Sequence, residues 1–220
     1  MLIPYRDENP TERFALVTLI IILANVAMFC YQVLGPHGFA RTTMMYGFIP
    51  LELSTGQNVP VSHFLSPFLT LLSYMFCHGS VTHLGFNMLF LWIFGNNVED
   101  RMTRGGFLVF YLLAGVIAAL AFAGMAPLSK IPLVGASGAI SAVLGAYLFM
   151  FPFARVYVWM IFFTMRLPAM IYLPVWFVMQ ILGLLQGSTG GSNVAWISHI
   201  AGFAAGVILF KLFVKRYRVP

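Results

Sequence analysis

The chain has 220 residues, of which 60% are hydrophobic and only 8% are charged. This composition excludes a soluble globular protein and predicts an integral membrane protein whose side chains are solvated by a lipid bilayer. By size alone the net charge of +6 would fit a nucleic-acid partner, but the positions of the charges argue against one.

Six apolar segments are predicted to cross the bilayer as helices, because backbone polar groups in hydrocarbon must be satisfied within the segment. Their bounds are about 14–34, 81–98, 107–126, 133–151, 167–186 and 195–214. The predicted fold class is therefore an all-α integral membrane protein, a six-helix bundle that forms a single membrane domain over residues 1–220.

The segments outside these helices complete the prediction. Residues 1–13 form a lead before the first helix. We expect the first helix to be retained as a membrane span rather than cleaved as a signal peptide. Residues 35–65 form a long outer loop, and the bundle, which covers residues 14–214, is followed by a basic tail over residues 215–220. The apolar segment 155–169 is expected at the inner membrane interface.

The basic residues orient the bundle. With the N-terminus inside, ten of the twelve Lys and Arg residues lie in inner segments, and only Arg41 and Lys130 lie in outer ones. Since Lys and Arg accumulate in the cytoplasmic loops of membrane proteins, both termini are predicted to be cytoplasmic. The positive charge is thus a topology signal, and no nucleic-acid partner is expected.

A set of polar side chains lies inside or at the start of the predicted spans, where such groups are costly and normally face a protein interior or a water-filled cavity. These are His78, His83, Asn87, Ser137, Ser141 and His199. The second, fourth and sixth helices all run inward, and at 1.5 Å per residue Ser137 and His199 both lie roughly 6 Å below the outer surface. His83 and Asn87 share one helix face, because they are four residues apart. Three helices therefore bring Ser, His and Asn into one layer.

Each motif alone has a simpler explanation. The small residues of "GASGAIS" (135–141) are typical of helix packing in membranes, and so is the pair Gly202 and Gly206. A lone membrane histidine, such as His199, is often a hydrogen bond between helices. The joint placement of these residues is what favours chemistry.

The chemistry that fits this layer is that of an activated serine. A histidine within reach can serve as its base, and no Asp or Glu is predicted at the same depth, so a dyad rather than a triad is expected. H-E-x-x-H is absent, and the only Asp residues are Asp7 and Asp100, which argues against metalloprotease and aspartyl chemistry. No metal and no cofactor are expected.

Three motifs resemble the rhomboid family of intramembrane serine proteases, over nearly the whole chain. They are "GASG" (135–138), "HGSVTHLGFN" (78–87) and "SHIAGFAAG" (198–206). The resemblance implies a rhomboid-like bundle and an endopeptidase that cleaves single-pass membrane proteins near the outer face of the membrane. It also implies a multi-pass protein of the prokaryotic inner membrane.

The resemblance also implies roles for particular residues. Ser137 would be the nucleophile and His199 its general base, while His83, Asn87 and the Ser137 backbone N–H would stabilise the oxyanion. Supporting roles are expected for His78, Gly135, Gly138, Ser141 and Gly202, the last by letting the sixth helix approach the fourth. Ser141 stands where some members place an aromatic ring that stacks on the base histidine.

Alternatives stay open at this point. One is a catalytically inactive rhomboid-like protein that binds membrane helices. Another is a small transporter of polar solutes or ions whose Ser, His and Asn side chains line a path. A metal site formed by Cys77, His78, His83 and His199 is a third. The sequence leaves the substrate and the oligomeric state open.

Overall fold

The computed structural model describes residues 3–59, 64–160, 163–186 and 193–215, and most of these residues are helical. The helices are α1 (Leu16–Leu34), α2 (Phe39–Tyr46), α3 (Pro50–Thr55), α4 (Pro67–Ser73), α5 (Val81–Phe90), α6 (Asn96–Asp100), α7 (Arg104–Met125), α8 (Ser137–Met150), α9 (Ala169–Leu185) and α10 (Asn193–Phe213). The strands are β1 (Ile3–Asp7), β2 (Arg155–Met160) and β3 (Phe163–Pro168). Residues 60–63 of the expected outer loop and 216–220 of the expected tail lie outside the described residues.

The long helices carry the apolar character of the chain. Within the described ranges, three helical segments are long and apolar enough to cross a membrane: α1, α7 and the part of α10 from Trp196 to Phe213. α8 and α9 are apolar but shorter. α5 continues through a π-helical turn, Leu91–Gly95, directly into α6. Helices thus occupy all six segments predicted from the sequence, and three of them reach spanning length.

A three-stranded antiparallel sheet corrects the all-α expectation. β2 and β3 form a hairpin in the segment 155–169, and β1 pairs with the other edge of β2, which gives the order β1-β2-β3. Along β2, Val156 and Val158 are fully buried while their neighbours Arg155 and Trp159 are exposed. This alternation, with valines and aromatic residues, is a strand signal. Segment 155–169, which was expected at the membrane interface, therefore forms a pair of strands, and β1 from the N-terminal lead adds the third.

The start of α1 is held by the end of α6. Both carboxylate oxygens of Glu99 accept backbone hydrogen bonds, from Val17 at 3.0 Å and from Thr18 at 2.7 Å. The first N–H groups of a helix have no partner within the helix, and no side chain from the residue before α1 caps them. Glu99 therefore supplies the cap, and it is buried in doing so.

Close packing of α8 and α10 sets the position of the site. A Cβ atom added at Gly202 would lie 2.0 Å from the carbonyl oxygen of Gly138, and one added at Gly206 would lie 2.0 Å from that of Ala142. The two glycines are four residues apart and so share one face of α10. The backbones of the two helices therefore touch along this face, as small residues allow in membrane helices.

Candidate active site

Ser137 and His199 meet where α8 begins. Ser137 is the first residue of α8 and His199 lies in α10, and their Oγ and Nε2 atoms are 2.8 Å apart. Both residues are partly buried. This distance is that of a normal hydrogen bond, so the structure brings together the two residues that the sequence placed at one depth.

Gly135 gives the turn before α8 its shape. Its φ of +115° lies in a region that L side chains rarely adopt, and a Cβ atom there would lie 2.7 Å from the His83 ring. Glycine meets both conditions because it has no Cβ. The chain can thus turn into α8 with the His83 imidazole directly beside the turn.

His83 and Asn87 extend from α5 toward the same space. Ser80 caps α5 by accepting the backbone N–H of His83 at 3.0 Å. The backbone N–H of Gly79 lies 3.4 Å from His83 Nδ1, which leaves Nε2 on the side of Gly135. Asn87 is buried and donates one amide hydrogen to the carbonyl of His83 at 2.9 Å. Its second amide hydrogen is available to a ligand in the cavity, because a primary amide has two.

His78 lies behind this group rather than in the cavity. Its side chain is fully buried, and its ring packs edge-on against that of His83 with the centroids 5.2 Å apart. Its backbone is held on both sides by the Gln32 amide of α1, with His78 N donating at 2.9 Å and its carbonyl accepting at 3.3 Å. His78 therefore contacts His83 and does not line the cavity.

Ser141 and Gly138 have structural contacts within α8 and with its neighbours. The Ser141 hydroxyl donates to the carbonyl of Ser137 at 2.7 Å. A Cβ atom at Gly138 would lie 2.6 Å from Cβ of Ala118 on α7. The aromatic neighbours of His199 come from α9 and from α10 itself: the rings of Trp176 and Trp196 each lie 6.2 Å from it.

Gln180 is a site residue that the sequence reasoning missed. It lies on α9, is buried, and its Oε1 atom is 2.9 Å from His199 Nδ1. Gln180 is the one amide within the otherwise apolar helix α9, and this feature could have identified it, since polar groups in such helices normally face the protein interior.

A cavity of about 420 Å³ connects these groups. Its walls are mostly apolar, and it reaches past Tyr172 on α9 to Ile3 on β1. The polar side chains that line it are those of His83, Asn87, Ser137, Ser141, Gln180, Ser198 and His199, with Tyr74 and Tyr172. A hydroxyl beside an imidazole, facing amide and imidazole donors, is an arrangement suited to nucleophilic attack on a carbonyl.

The four residues of the possible metal site do not come together around one point: Cys77, His78, His83 and His199. Over the part of the chain that the structure describes, no group of three or more His, Cys, Asp or Glu side chains could hold a metal ion. Cys77 and His78 are buried behind the cavity, which is lined instead by His83 and His199.

An apolar helical bundle with such a cavity has the architecture of an integral membrane protein. A family model of the rhomboid domain matches residues 66–216, which contain the cavity residues of α5, α8, α9 and α10. The match covers more than half of the chain, and the chain belongs to the rhomboid family.

Individual relatives agree with this assignment. Rhomboid protease GluP of Bacillus subtilis is 41% identical over 145 residues, which cover 66% of this chain and 25% of GluP. The putative rhomboid protease YdcA of the same bacterium is 27% identical over 162 residues, or 74% of each chain. The mitochondrial rhomboid protein 1 of Saccharomyces cerevisiae is 29% identical over 145 residues, covering 64% of this chain and 35% of the yeast protein. The chain thus spans about a third of the yeast relative and a quarter of GluP.

Proposed function

We propose that the protein is an intramembrane serine endopeptidase that uses Ser137 as nucleophile and His199 as general base. The observation that carries this proposal is the 2.8 Å distance between Ser137 Oγ and His199 Nε2 at the polar end of an apolar cavity. A serine is a weak nucleophile by itself and is activated by a base within hydrogen-bond reach. The similarity to rhomboid protease GluP and to the putative rhomboid protease YdcA of Bacillus subtilis supports the same function.

Acylation begins when Ser137 Oγ attacks the carbonyl carbon of the scissile peptide bond and His199 Nε2 takes the hydroxyl proton. The carbonyl oxygen becomes an oxyanion. When the C–N bond breaks, the imidazolium gives its proton to the leaving amine, and the new N-terminus departs. An ester between Ser137 and the substrate's acyl group remains.

Deacylation repeats these steps with water. His199 takes a proton from a water molecule, whose oxygen attacks the ester carbonyl. Collapse of the second tetrahedral intermediate returns the proton to Ser137 Oγ and releases the new carboxylate. The reaction needs neither a metal nor a cofactor, since the protein supplies both the nucleophile and the base.

The oxyanion is stabilised by donors from α8 and α5. The backbone N–H of Ser137 lies in the first turn of α8, where no partner within the helix exists and where the helix dipole favours negative charge. His83 Nε2 and the second amide hydrogen of Asn87 supply side-chain donors. Donors placed where charge develops are the usual source of such stabilisation.

The protein is proposed to cross the membrane six times with both termini in the cytoplasm. The distribution of basic residues supports this orientation. α8 runs from Ser137 to Met150, which separates the active site by roughly 20 Å from the end that leads into the sheet. The site then lies toward the outer face.

The proposed substrates are single-pass membrane proteins that enter the cavity from the lipid. Its apolar walls suit membrane-embedded side chains, and residues of both α5 and α9 line it. A substrate helix must open its backbone hydrogen bonds before Ser137 can reach a carbonyl. We therefore expect cleavage near the outer end of the substrate helix, at residues that weaken a helix.

Labelling with a fluorophosphonate probe, which forms a covalent bond with an activated serine, tests the proposal. The detergent-solubilised wild type should be labelled, and Ser137→Ala and His199→Ala should not. Ser54→Ala, on the exposed side of α3, is the serine control and His37→Ala, in an exposed segment, the histidine control; both should be labelled like the wild type.

Cleavage of a single-pass membrane substrate in proteoliposomes completes the test. The labelled variants should cut it and the unlabelled ones should not. A folded wild type that is neither labelled nor active would overturn the proposal, and the inactive rhomboid-like binder and the polar-solute transporter would become the leading functions. A transport assay in the same liposomes then separates those two.

A further inference from the structure

His199 has a second hydrogen-bond partner that lies opposite the serine. Its Nδ1 atom is 2.9 Å from Oε1 of Gln180, while its Nε2 atom is 2.8 Å from Ser137 Oγ. Gln180 is only 6% exposed. No Asp or Glu is among the residues that line the cavity, so within the described part of the site this amide stands where a serine triad has its carboxylate.

The orientation of the Gln180 amide follows from its other contact. Its nitrogen donates to the backbone carbonyl of Trp176 at 3.0 Å. A carbonyl oxygen only accepts hydrogen bonds, so the NH₂ group must face Trp176 and the amide oxygen must face His199. The assignment of oxygen and nitrogen in this side chain therefore has a chemical reason.

The protonation of the imidazole follows in turn. An amide oxygen only accepts, so the proton of neutral His199 must be on Nδ1. Nε2 then presents its lone pair to the Ser137 hydroxyl. This is the tautomer that a general base needs, and the partner of the other ring nitrogen is what selects it.

We propose that Gln180 is a positioning residue of the active site, which holds His199 in the reactive tautomer and ring orientation. The inference rests on the proposed serine protease function and extends its dyad to Ser137–His199–Gln180. The rings of Trp176 and Trp196 limit the tilt of the imidazole from its sides. Neither ring is hydrogen-bonded to Nδ1, so the choice of tautomer depends on Gln180.

A neutral amide suits this location. A buried carboxylate in a membrane protein carries a large desolvation cost unless it is paired, whereas an amide orients the imidazole without that cost. The amide gives up the charge stabilisation that a carboxylate provides to the imidazolium formed during attack. Replacing Gln180 by Glu adds that charge. The variant therefore separates the orientation of the imidazole from the stabilisation of the imidazolium.

The test compares Gln180→Met, which removes the acceptor at similar size, with Gln180→Glu, which keeps an acceptor and adds a charge. Val178→Met is the matched control, since Val178 lies on α9 with half of its surface exposed. For each variant we would measure the fluorophosphonate labelling rate, kcat and KM for a membrane substrate between about pH 5 and pH 9. The thermal midpoint of unfolding monitors folding.

Gln180→Met is expected to lower the labelling rate and kcat at least about tenfold, because the wrong tautomer cannot accept the serine proton. Its KM and its thermal midpoint should stay close to those of Val178→Met. Gln180→Glu is expected to keep its activity and to move the acid limb of its pH–rate profile upward by about one pH unit, since a carboxylate favours the imidazolium. Other titratable side chains also line the cavity, namely those of His83, Tyr74 and Tyr172. Only a shift of the acid limb that appears in Gln180→Glu and not in the wild type or the other variants therefore supports the inference.

The outcomes separate the inference from the function on which it rests. If the wild type is labelled and Gln180→Met is labelled at the same rate, the positioning role is wrong but the proposed protease function is retained. The same conclusion follows if the acid limb of the pH–rate profile of Gln180→Glu does not move. If Gln180→Met does not fold, the acid limb of Gln180→Glu decides. A folded wild type that is not labelled overturns the proposed function and the inference together.

Discussion

Gly202 of α10 lies against the backbone of Gly138 on α8 so closely that a Cβ atom at residue 202 would be 2.0 Å from the Gly138 carbonyl oxygen. Gly138 follows Ser137, and Gly202 lies three residues after His199. This close approach of the two helices is therefore within one turn of both members of the proposed dyad. The 2.8 Å distance between Ser137 and His199 depends on the absence of a side chain at this point.

Gly202→Ala should separate α8 from α10 and lengthen the Ser137–His199 hydrogen bond. Overpacking of this kind costs about 1–3 kcal/mol, and we expect the fluorophosphonate labelling rate to fall at least about tenfold. Gly124→Ala, near the end of α7, is the matched control, because a Cβ there meets nothing within 4 Å. Equal labelling of the two variants would show that the dyad tolerates a wider helix spacing.

Gly135→Ala should impair the oxyanion donors while leaving the dyad in place. The new Cβ would meet the His83 ring at 2.7 Å, and the φ of +115° is unfavourable for alanine. We expect kcat to fall by a larger factor than the fraction of folded protein that the probe labels, while KM changes little, since the lost interaction is made in the transition state.

Gly56→Ala is the control for the backbone strain in that experiment. Gly56 has a φ of +69°, and a Cβ there meets nothing within 4 Å. It should lose about 1 kcal/mol of stability from the left-handed conformation alone and keep its kcat. A kcat loss of the same size in both variants would assign the effect of Gly135→Ala to strain rather than to His83.

The layer of polar residues was predictable from the sequence because it depends on helix geometry alone. Counting residues from the helix starts places Ser137 and His199 at one depth, and a spacing of four places His83 and Asn87 on one face. Gln180 escaped that reasoning. Its depth depends on where α9 begins, and its contact with His199 depends on how α9 is rotated against α10, which only tertiary packing determines.

The sheet escaped for a different reason. The segment 155–169 is apolar on both sides of its alternating pattern, so its hydropathy alone did not distinguish a strand from an interfacial helix. β1 adds a partner from the other end of the chain, with Ile3 opposite Trp159. Local sequence carries no information on a pairing across some 150 residues, and hydropathy therefore did not predict the strands of this segment.

Glu99→Ala should destabilise the fold by uncapping α1. Two buried N–H groups, those of Val17 and Thr18, would lose their acceptor, at a cost of about 1–3 kcal/mol for a buried unsatisfied donor. Glu99→Gln keeps one acceptor oxygen and should lie between Glu99→Ala and the wild type. The free energy of unfolding, measured in mixed micelles, checks this order.

Glu12→Ala is the control for the loss of a glutamate near the same helix. The Glu12 side chain is exposed, and it is its backbone N–H that bonds to Asp100. Its stability should stay within about 0.5 kcal/mol of the wild type, as surface substitutions usually do. A Glu99→Ala variant as stable as Glu12→Ala would show that water replaces the carboxylate at the helix start.

We expect the docking of the N-terminal strand to depend on pH through the partly buried carboxyl of Asp7. Its Oδ2 atom accepts from Tyr147 Oη at 2.5 Å and from Asn97 Nδ2 at 2.8 Å. Burial raises the pKa of Asp7 from 3.8 to about 6, although these hydrogen bonds oppose the rise. The folded state thus holds this proton more tightly than the unfolded chain does.

The sign of the effect follows from that difference. The contribution of Asp7 to stability is fully present below about pH 4 and is lost as the pH rises through about 6. We therefore expect the titration of Asp7 to lower the thermal midpoint of the wild type as the pH rises between these values. Asp7→Asn, which does not titrate, should lack that fall.

Glu8→Gln is the matched control for the pH titration. Glu8 is exposed at the end of β1, and a hydrogen bond from Tyr157 lowers the pKa of its carboxyl, so its contribution has the opposite sign. Glu8→Gln should keep the fall that Asp7 causes, while Asp7→Asn removes it. Parallel profiles for the wild type and Asp7→Asn would mean that water reaches the Asp7 carboxylate and that the strand docks equally well in both charge states.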